Sequence, residues 1–414
     1  MNIAPPEEIF DGSGDWVEVF SDSFTPATVE NPDALGVLDW TRWSSRVPWG
    51  DWKINGVSNE DQWNVNTTGL EPGIGWVPAN YFSDMNTFLG ILESEGKHIF
   101  SHGSDAGTGS NADDVNADGG DESLVIGSYV NPWKKNINKR RNYVSGLISS
   151  HVGPTTDANI DGTHGFQFRY GYMEVRAKMP KAGNGFRSAI WLYSDNAYFN
   201  ALNGSSSIYE IDVAEHIPNT RVDQEGEECF VQQNSSFWPT IGAGTDDVGR
   251  LSYDTIFNSY HYPGGRTSSE WTYNSQEKYD PVRCDPVGVG NSTGPDVVDY
   301  ADDYHTYGVL WEQDRINFYV DRRLIHQVGS AGPVLPPGLT ETHPITDSTM
   351  YIVINLAMGL DGFEGNVDSS VFVNEVGPKL AVDYVKVWQN SIPARNHGWC
   401  GKGGDATCLS LTTP

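Results

Sequence analysis

No run of about 18 apolar residues occurs in the 414-residue chain, so no segment reads as a membrane-spanning helix. Long segments with the 3.6-residue apolar period of a surface helix are missing as well. Basic residues are few: 26 Lys and Arg stand against 55 Asp and Glu, for a net charge of −29. Phosphates would be repelled by such a chain, which argues against a nucleic-acid partner. The charge fits a protein kept soluble outside the cell, or simply an acidic, solvated surface. Cysteine is scarce. Cys229, Cys284, Cys400 and Cys408 contain no C-x-x-C pair, which makes a zinc ribbon or a thioredoxin-like site improbable. An even count suggests disulfides with three connectivities open; Cys229–Cys284 with Cys400–Cys408 is the preferred pairing, and four free thiols is the other reading. A basic patch followed by an apolar stretch is also lacking at the N-terminus. Met1-Asn-Ile-Ala-Pro-Pro therefore reads as a start placed on a mature or trimmed chain, and a secreted protein is the expectation.

What the chain has in quantity is aromatic side chains (12%), 45 Gly and 23 Pro, the composition of short strands joined by turns. Trp16-Val-Glu-Val-Phe-Ser alternates in polarity. Residues 103–123 are poor in apolar side chains and read as a solvated loop or insertion. From residue 140 strand signals become dense: Tyr143 to Ser150, Phe168 to Met179, Ser188 to Tyr193, 208–215, His305 to Trp311, Ile316 to Asp321, Met350 to Leu356 and Leu380 to Trp388. The cleanest is the second, where Met173, Val175, Ala177 and Met179 point one way and Tyr172, Glu174, Arg176 and Lys178 the other. Many strands without helices predict an all-β sandwich of two antiparallel sheets, a jelly roll. One domain is expected over residues 1–390, with 391–414 as a C-terminal appendage carrying a disulfide.

The segment Tyr209-Glu-Ile-Asp-Val-Ala-Glu-His216 carries the chemistry. On a strand, Glu210 and Asp212 share a face while Ile211 and Val213 are buried on the other. Strict alternation would put Glu215 on the buried side. One β-bulge near Val213 or Ala214 brings all three carboxylates together. Two carboxyl groups roughly 5–5.5 Å apart can cleave a glycosidic bond with retention, one attacking and the other protonating the leaving oxygen. A third acid can orient the nucleophile and raise the proton donor's pKa by like-charge repulsion. In so acidic a chain the spacing alone arises roughly once by chance; the apolar residues between the acids, which make their strand's other face core, raise its weight.

Glu-Ile-Asp-Val-Ala-Glu resembles the bulged E-[ILV]-D-x-x-E signature of glycoside hydrolase family 16. In order, Tyr143 to Ile148, Tyr170 to Arg176, Ala189 to Leu192, His305 to Trp311, Phe318 to Asp321 and Val382 to Trp388 are similar to family segments, over about residues 15–390. The resemblance implies a jelly roll with a concave cleft, a polysaccharide substrate, no cofactor in the chemistry and a monomer. It makes Glu210 the nucleophile, Asp212 its supporting acid and Glu215 the acid/base; His216 beside it either tunes that acid or packs in the core. Trp191 matches a cleft tryptophan of the family, and His261 a cleft histidine of the algal galactanases. Trp49, Trp52, Trp133 and Trp238, in loop-like sequence, are further candidates for stacking on sugar rings.

For the substrate the signals divide. Tyr209 before the first acid, Ser188 to Ser194 and Tyr260-His-Tyr-Pro are similar to the agarase, porphyranase and κ-carrageenase side. Ile354-Asn-Leu-Ala-Met-Gly is similar to the β-1,3-glucanases, or laminarinases. Lys134, Lys135, Lys139, Arg140 and Arg141 could hold sulfate esters or form a solvated loop. The expectation is an algal β-galactan, with laminarin as the alternative and a non-catalytic carbohydrate-binding protein as the reading from another class. Asp114-x-Asn116-x-Asp118-Gly119 matches the opening of a calcium loop, but Val125 stands where its last Glu belongs, so a polar turn is the other reading. The resemblance further offers Glu18 and Asp383 as acids for a structural calcium on the convex side.

Overall fold

A computed structural model describes residues 16–24, 42–45, 62–64, 98–102, 123–131, 142–151, 165–182, 185–194, 209–223, 250–261, 278–279, 300–329 except 302 and 314, 348–359 and 369–390, with 38, 345 and 367 singly. Seventeen strands and one 3-10 turn (Ser369–Val371) make up the regular structure among these residues. In chain order the strands are β1 (Trp16–Asp22), β2 (Gln62–Asn64), β3 (Phe100–His102), β4 (Leu124–Ile126), β5 (Tyr129–Val130), β6 (Tyr143–Ser145), β7 (Leu147–Ser149), β8 (Gly171–Lys178), β9 (Phe186–Ser194), β10 (Glu210–Asp223), β11 (Arg250–His261), β12 (Lys278–Tyr279), β13 (His305–Trp311), β14 (Arg315–Val320), β15 (Arg323–Gly329), β16 (Met350–Met358) and β17 (Leu380–Asn390).

They form the expected two antiparallel sheets. One runs β15-β14-β13-β8-β17-β4-β3, with β1 also paired to β17; the other runs β12-β11-β10-β9-β16-β7. A small third sheet, β2-β6-β5, contains one parallel pair. Alternation decides what lies between the main sheets. Met173, Val175 and Ala177 of β8 and Val385 and Val387 of β17 meet Ile190 and Leu192 of β9, Ile211 of β10 and Ile352 and Ile354 of β16 in one buried cluster. Each such side chain contributes about 1.5–3 kcal/mol by leaving water. Strands β9 and β16 are buried on both faces along their nine residues, so the outer face of the six-stranded sheet is recessed too.

The outer face of the eight-stranded sheet departs from the simple in-and-out pattern. Glu174 points away from the core as its phase requires, yet it is fully buried. The Tyr172 and Tyr384 hydroxyls each donate to it at 2.8 Å, and Arg322 donates through Nε and Nη2 at 3.1 and 3.2 Å. The two-residue turn that delivers Arg322 has positive φ at both Asp321 (48°) and Arg322 (61°), the geometry of a tight hairpin whose usual residues are Asn and Gly. Its side chains offset that cost: Arg322 forks onto Glu174, and Asp321 accepts from the Thr306 N–H at 3.0 Å and pairs with His305 at 2.8 Å. Gly308 completes the arrangement, because a Cβ there would lie 2.5 Å from the Tyr172 hydroxyl. Tied to Glu174, that hydroxyl has little room to yield. Gly308→Ala is expected to lower stability by about 1–3 kcal/mol in urea unfolding; an unchanged midpoint would show that the tyrosine moves freely.

Candidate active site

The bulge lies where the phase of the acids demands it. Against β9, Asp212 pairs with Trp191 and Ala214 with Ile190, so Val213 is the extra residue. Against β11, Asp212 pairs with Ser259 and Glu215 with Phe257, so Val213 and Ala214 together face Asn258. Val213 and Ala214 are both in the core, and Glu215 returns to the face of Glu210 and Asp212. His216 falls in the opposite phase. Its ring packs edge-on to Tyr300 at 6.5 Å within the core, away from Glu215.

Register then names the neighbours of the acids. Glu210 is flanked by Tyr193 and His261, Asp212 by Trp191 and Ser259, and Glu215 by Ala189. One strand further, Tyr351, Val353 and Asn355 of β16 lie beside Tyr193, Trp191 and Ala189. Leu147, Ala189, Trp191, Tyr193, Tyr351 and Val353 form an apolar cluster separate from the main core. Trp191 is fixed within it by its indole N–H, which donates to Asn355 Oδ1 at 2.9 Å, and by an edge contact with Tyr193 at 5.3 Å.

Asp212 is the best-held of the acids. His261 Nε2 lies 2.7 Å from its Oδ2, and the Ser259 hydroxyl donates to the same oxygen. Burial works against the charged forms of both Asp212 and His261, but their mutual attraction wins. Asp212 is held below the usual carboxylate range by the His261 charge, by hydrogen bonds from His261 and Ser259, and by Arg187. His261 is pushed up to about 9 by the Asp212 charge and hydrogen bond, then by Glu210 and Glu215. Glu210 moves the other way: burial, then the Asp212 charge, push it well above the usual range despite His261. Burial and Glu210 also push the Tyr193 hydroxyl up, so it stays a donor. Glu215 has its own partner in Arg187, whose Nε lies 2.8 Å from Oε1.

Glu210, Asp212 and His261 each place one ligating atom within 4.8 Å of the others, close enough to share a metal ion. Calcium prefers an all-oxygen shell, and the His261 imidazolium already supplies positive charge against Asp212. The candidate calcium acids are not brought together either. Glu18 pairs with Trp388, five residues along β17 from Asp383 or about 16 Å, and Asp383 is ion-paired with Arg176. The Tyr209 ring stacks on core-facing Tyr260 at 6.5 Å, so it lies behind the sheet, away from the face of the acids. Trp49, Trp52, Trp133, Trp238, the basic cluster with Arg140, the loop residues Asp114, Asn116 and Asp118, and all four cysteines lie outside the described residues.

Arg187, Ser259, Tyr193 and Asn355 were missed in the sequence. Counting in twos from Trp191 reaches Arg187 and Tyr193, and from His261 reaches Ser259; Asn355 needs the pairing of β9 with β16.

A β-sandwich with three bulge-aligned carboxylates beside an aromatic floor defines a class of site suited to sugar chemistry. Residues 288–355 match the model for glycosyl hydrolases family 16. The chain is 25% identical over 223 residues to glucan endo-1,3-beta-glucosidase A1 of Niallia circulans, covering 53% of this chain and 24% of that protein. It is 26% identical over 287 residues to a beta-1,3-glucan-binding protein of Penaeus monodon (59% and 65%). It is 25% identical over 257 residues to a keratan-sulfate endo-1,4-beta-galactosidase of Sphingobacterium multivorum (59% and 44%). The chain thus spans less than two thirds of each of these relatives. The family match and these relatives place the likeness with glycosyl hydrolases of family 16 and with β-1,3-glucan and galactan proteins.

The His261–Asp212 pair has a pH signature. The histidine titrates near 6.5 when unfolded and about 9 when folded, so the stabilisation is whole below pH ~6.5 and is lost as pH rises through about 9. Melting temperature should fall across that window more steeply for the native protein than for His261→Gln. Equal slopes would mean that the ring is neutral in the fold.

Proposed function

We propose that the protein is a retaining endo-β-glycosidase acting on a β-1,3-glucan of the laminarin type. The observation that carries the enzymatic part is the bulge, which sets Glu210, Asp212 and Glu215 on one recessed face beside Trp191. In this reading the Glu210 carboxylate attacks the anomeric carbon while Glu215 protonates the departing oxygen. Water activated by Glu215 then releases the glycosyl group from Glu210. Asp212, clamped by His261 and Ser259, keeps its charge and orients Glu210.

Three carboxylates here face two cations, Arg187 and His261, so a single proton brings the cluster to neutrality. That proton is the one acid catalysis needs. Burial and the Asp212 charge raise the pKa of Glu210, and Arg187 is ion-paired with Glu215. In the proposed roles that proton sits on Glu215 when the glycosidic bond breaks. Azide tests this assignment. With Glu210→Ala it should give the α-glycosyl azide, and with Glu215→Ala the β-anomer; the opposite pairing would exchange the two roles.

For the substrate, both cations described on this face are engaged by carboxylates, which favours a neutral sugar over a sulfated one. Two of the relatives act on or bind β-1,3-glucan by name. A β-galactan is the second reading, favoured by the keratan-sulfate galactosidase relative and the Ser188 to Ser194 segment. Reducing-end release from laminarin, agarose, porphyran and κ-carrageenan decides between them. Laminarin should be cleaved, with Glu210→Gln slower by roughly 10³-fold or more. Cleavage of a galactan alone would select the second reading, and binding of laminarin without cleavage would leave a glucan-binding protein.

A further inference from the structure

Asn258 stands apart among the buried polar residues. It faces the core from β11, opposite Val213 and Ala214, and is fully buried. Its Nδ2 donates to the Val213 carbonyl, while its Oδ1 has no hydrogen-bond partner among the described residues. A leucine would fill the same space with no polar atom to satisfy, so an asparagine using half its capacity is a costly choice there. What it supplies is one donor, aimed at the residue that β10 holds in excess. A bulge takes a peptide group out of the ladder, and that carbonyl needs a partner in an interior without water.

We infer that Asn258 is a positioning residue for the acid/base carboxylate: its amide pins the Val213–Ala214 bulge and so fixes where Glu215 points. This rests on the glycosidase reading. Asn258 touches neither sugar nor any reacting atom; it acts through two residues of backbone. Glu215 follows the bulge directly, whereas Glu210 and Asp212 precede it and are held by their own register with β9 and β11. Loosening the bulge therefore moves one carboxyl group relative to the other, which is the separation a double displacement depends on.

Asn258→Leu and Asn258→Asp keep the size and remove the amide donor, and Asn258→Ser removes it without filling the space. All three should lower kcat about 10–100-fold with KM within about twofold, and should displace the limb of the pH–rate profile that reports Glu215. Amide hydrogen exchange at Val213 to Glu215 should quicken by about tenfold or more, while that of Ile190 and Leu192 on β9 stays as in the native protein. A folded variant with native kcat, a superimposable pH profile and native exchange at Val213 to Glu215 overturns the inference. If Leu or Asp at 258 prevents folding, the Ser variant decides by the same readings. Native protein that cleaves none of the polysaccharides sinks the glycosidase reading, and exchange in the variants still decides whether Asn258 holds the bulge.

Discussion

One surplus residue in β10 governs the site. Side chains on a strand alternate, and the apolar phase of Ile211 and Val213 is committed to the core. Without Val213 as the extra residue, that phase would carry Glu215 into the interior, where an uncompensated carboxylate is prohibitively expensive. With it, the core keeps Val213 and the small Ala214, and the outer face gains a third acid. Both neighbours accommodate the slip, β9 by one step in register and β11 by setting Asn258 against two residues. Arg187 and His261 then offset the repulsion among the acids that the bulge collects.

The two outer faces treat the same side chain in contrasting ways. Glu174 on the eight-stranded sheet receives four donors from Tyr172, Tyr384 and Arg322 and has nothing left to offer. On the six-stranded sheet the charges of Asp212 and Glu215 act on Glu210, so the protonation of the acids depends on one another. Burial is common to both. A full set of donors makes a carboxylate structural, and neighbouring carboxylates make it chemically responsive.

Much of this was legible in the sequence because it is periodic. The inward set Met173, Val175, Ala177 and Met179 is in the core as alternation required, and the need for a bulge at Val213 or Ala214 followed from the phase of Glu215. Cross-strand relations were less so. Nothing local to residues 186–194 says that residues 350–358 lie beside them, so the Trp191–Asn355 bond was invisible. Tyr209 precedes Glu210, and the same alternation puts it behind the sheet. Glu174 was given its outward direction correctly, but outward is not solvated where a hairpin turn and two tyrosines close over it.

The place of β17 gives this architecture a distinctive assembly problem. The last strand of the described chain lies inside the eight-stranded sheet, against β8 on one side and β4 and β1 on the other. During synthesis, β1, β4 and β8 leave the ribosome with open edges that only residues 380–390 can fill. Closing those gaps costs loop entropy over hundreds of residues before contacts repay it, so folding should be slow and late. Until then the β8 face that backs Ile190 and Ile211 is unsupported at its flank. The aromatic floor beside the acids and β17 therefore form in one cooperative event, although they lie on opposite sheets.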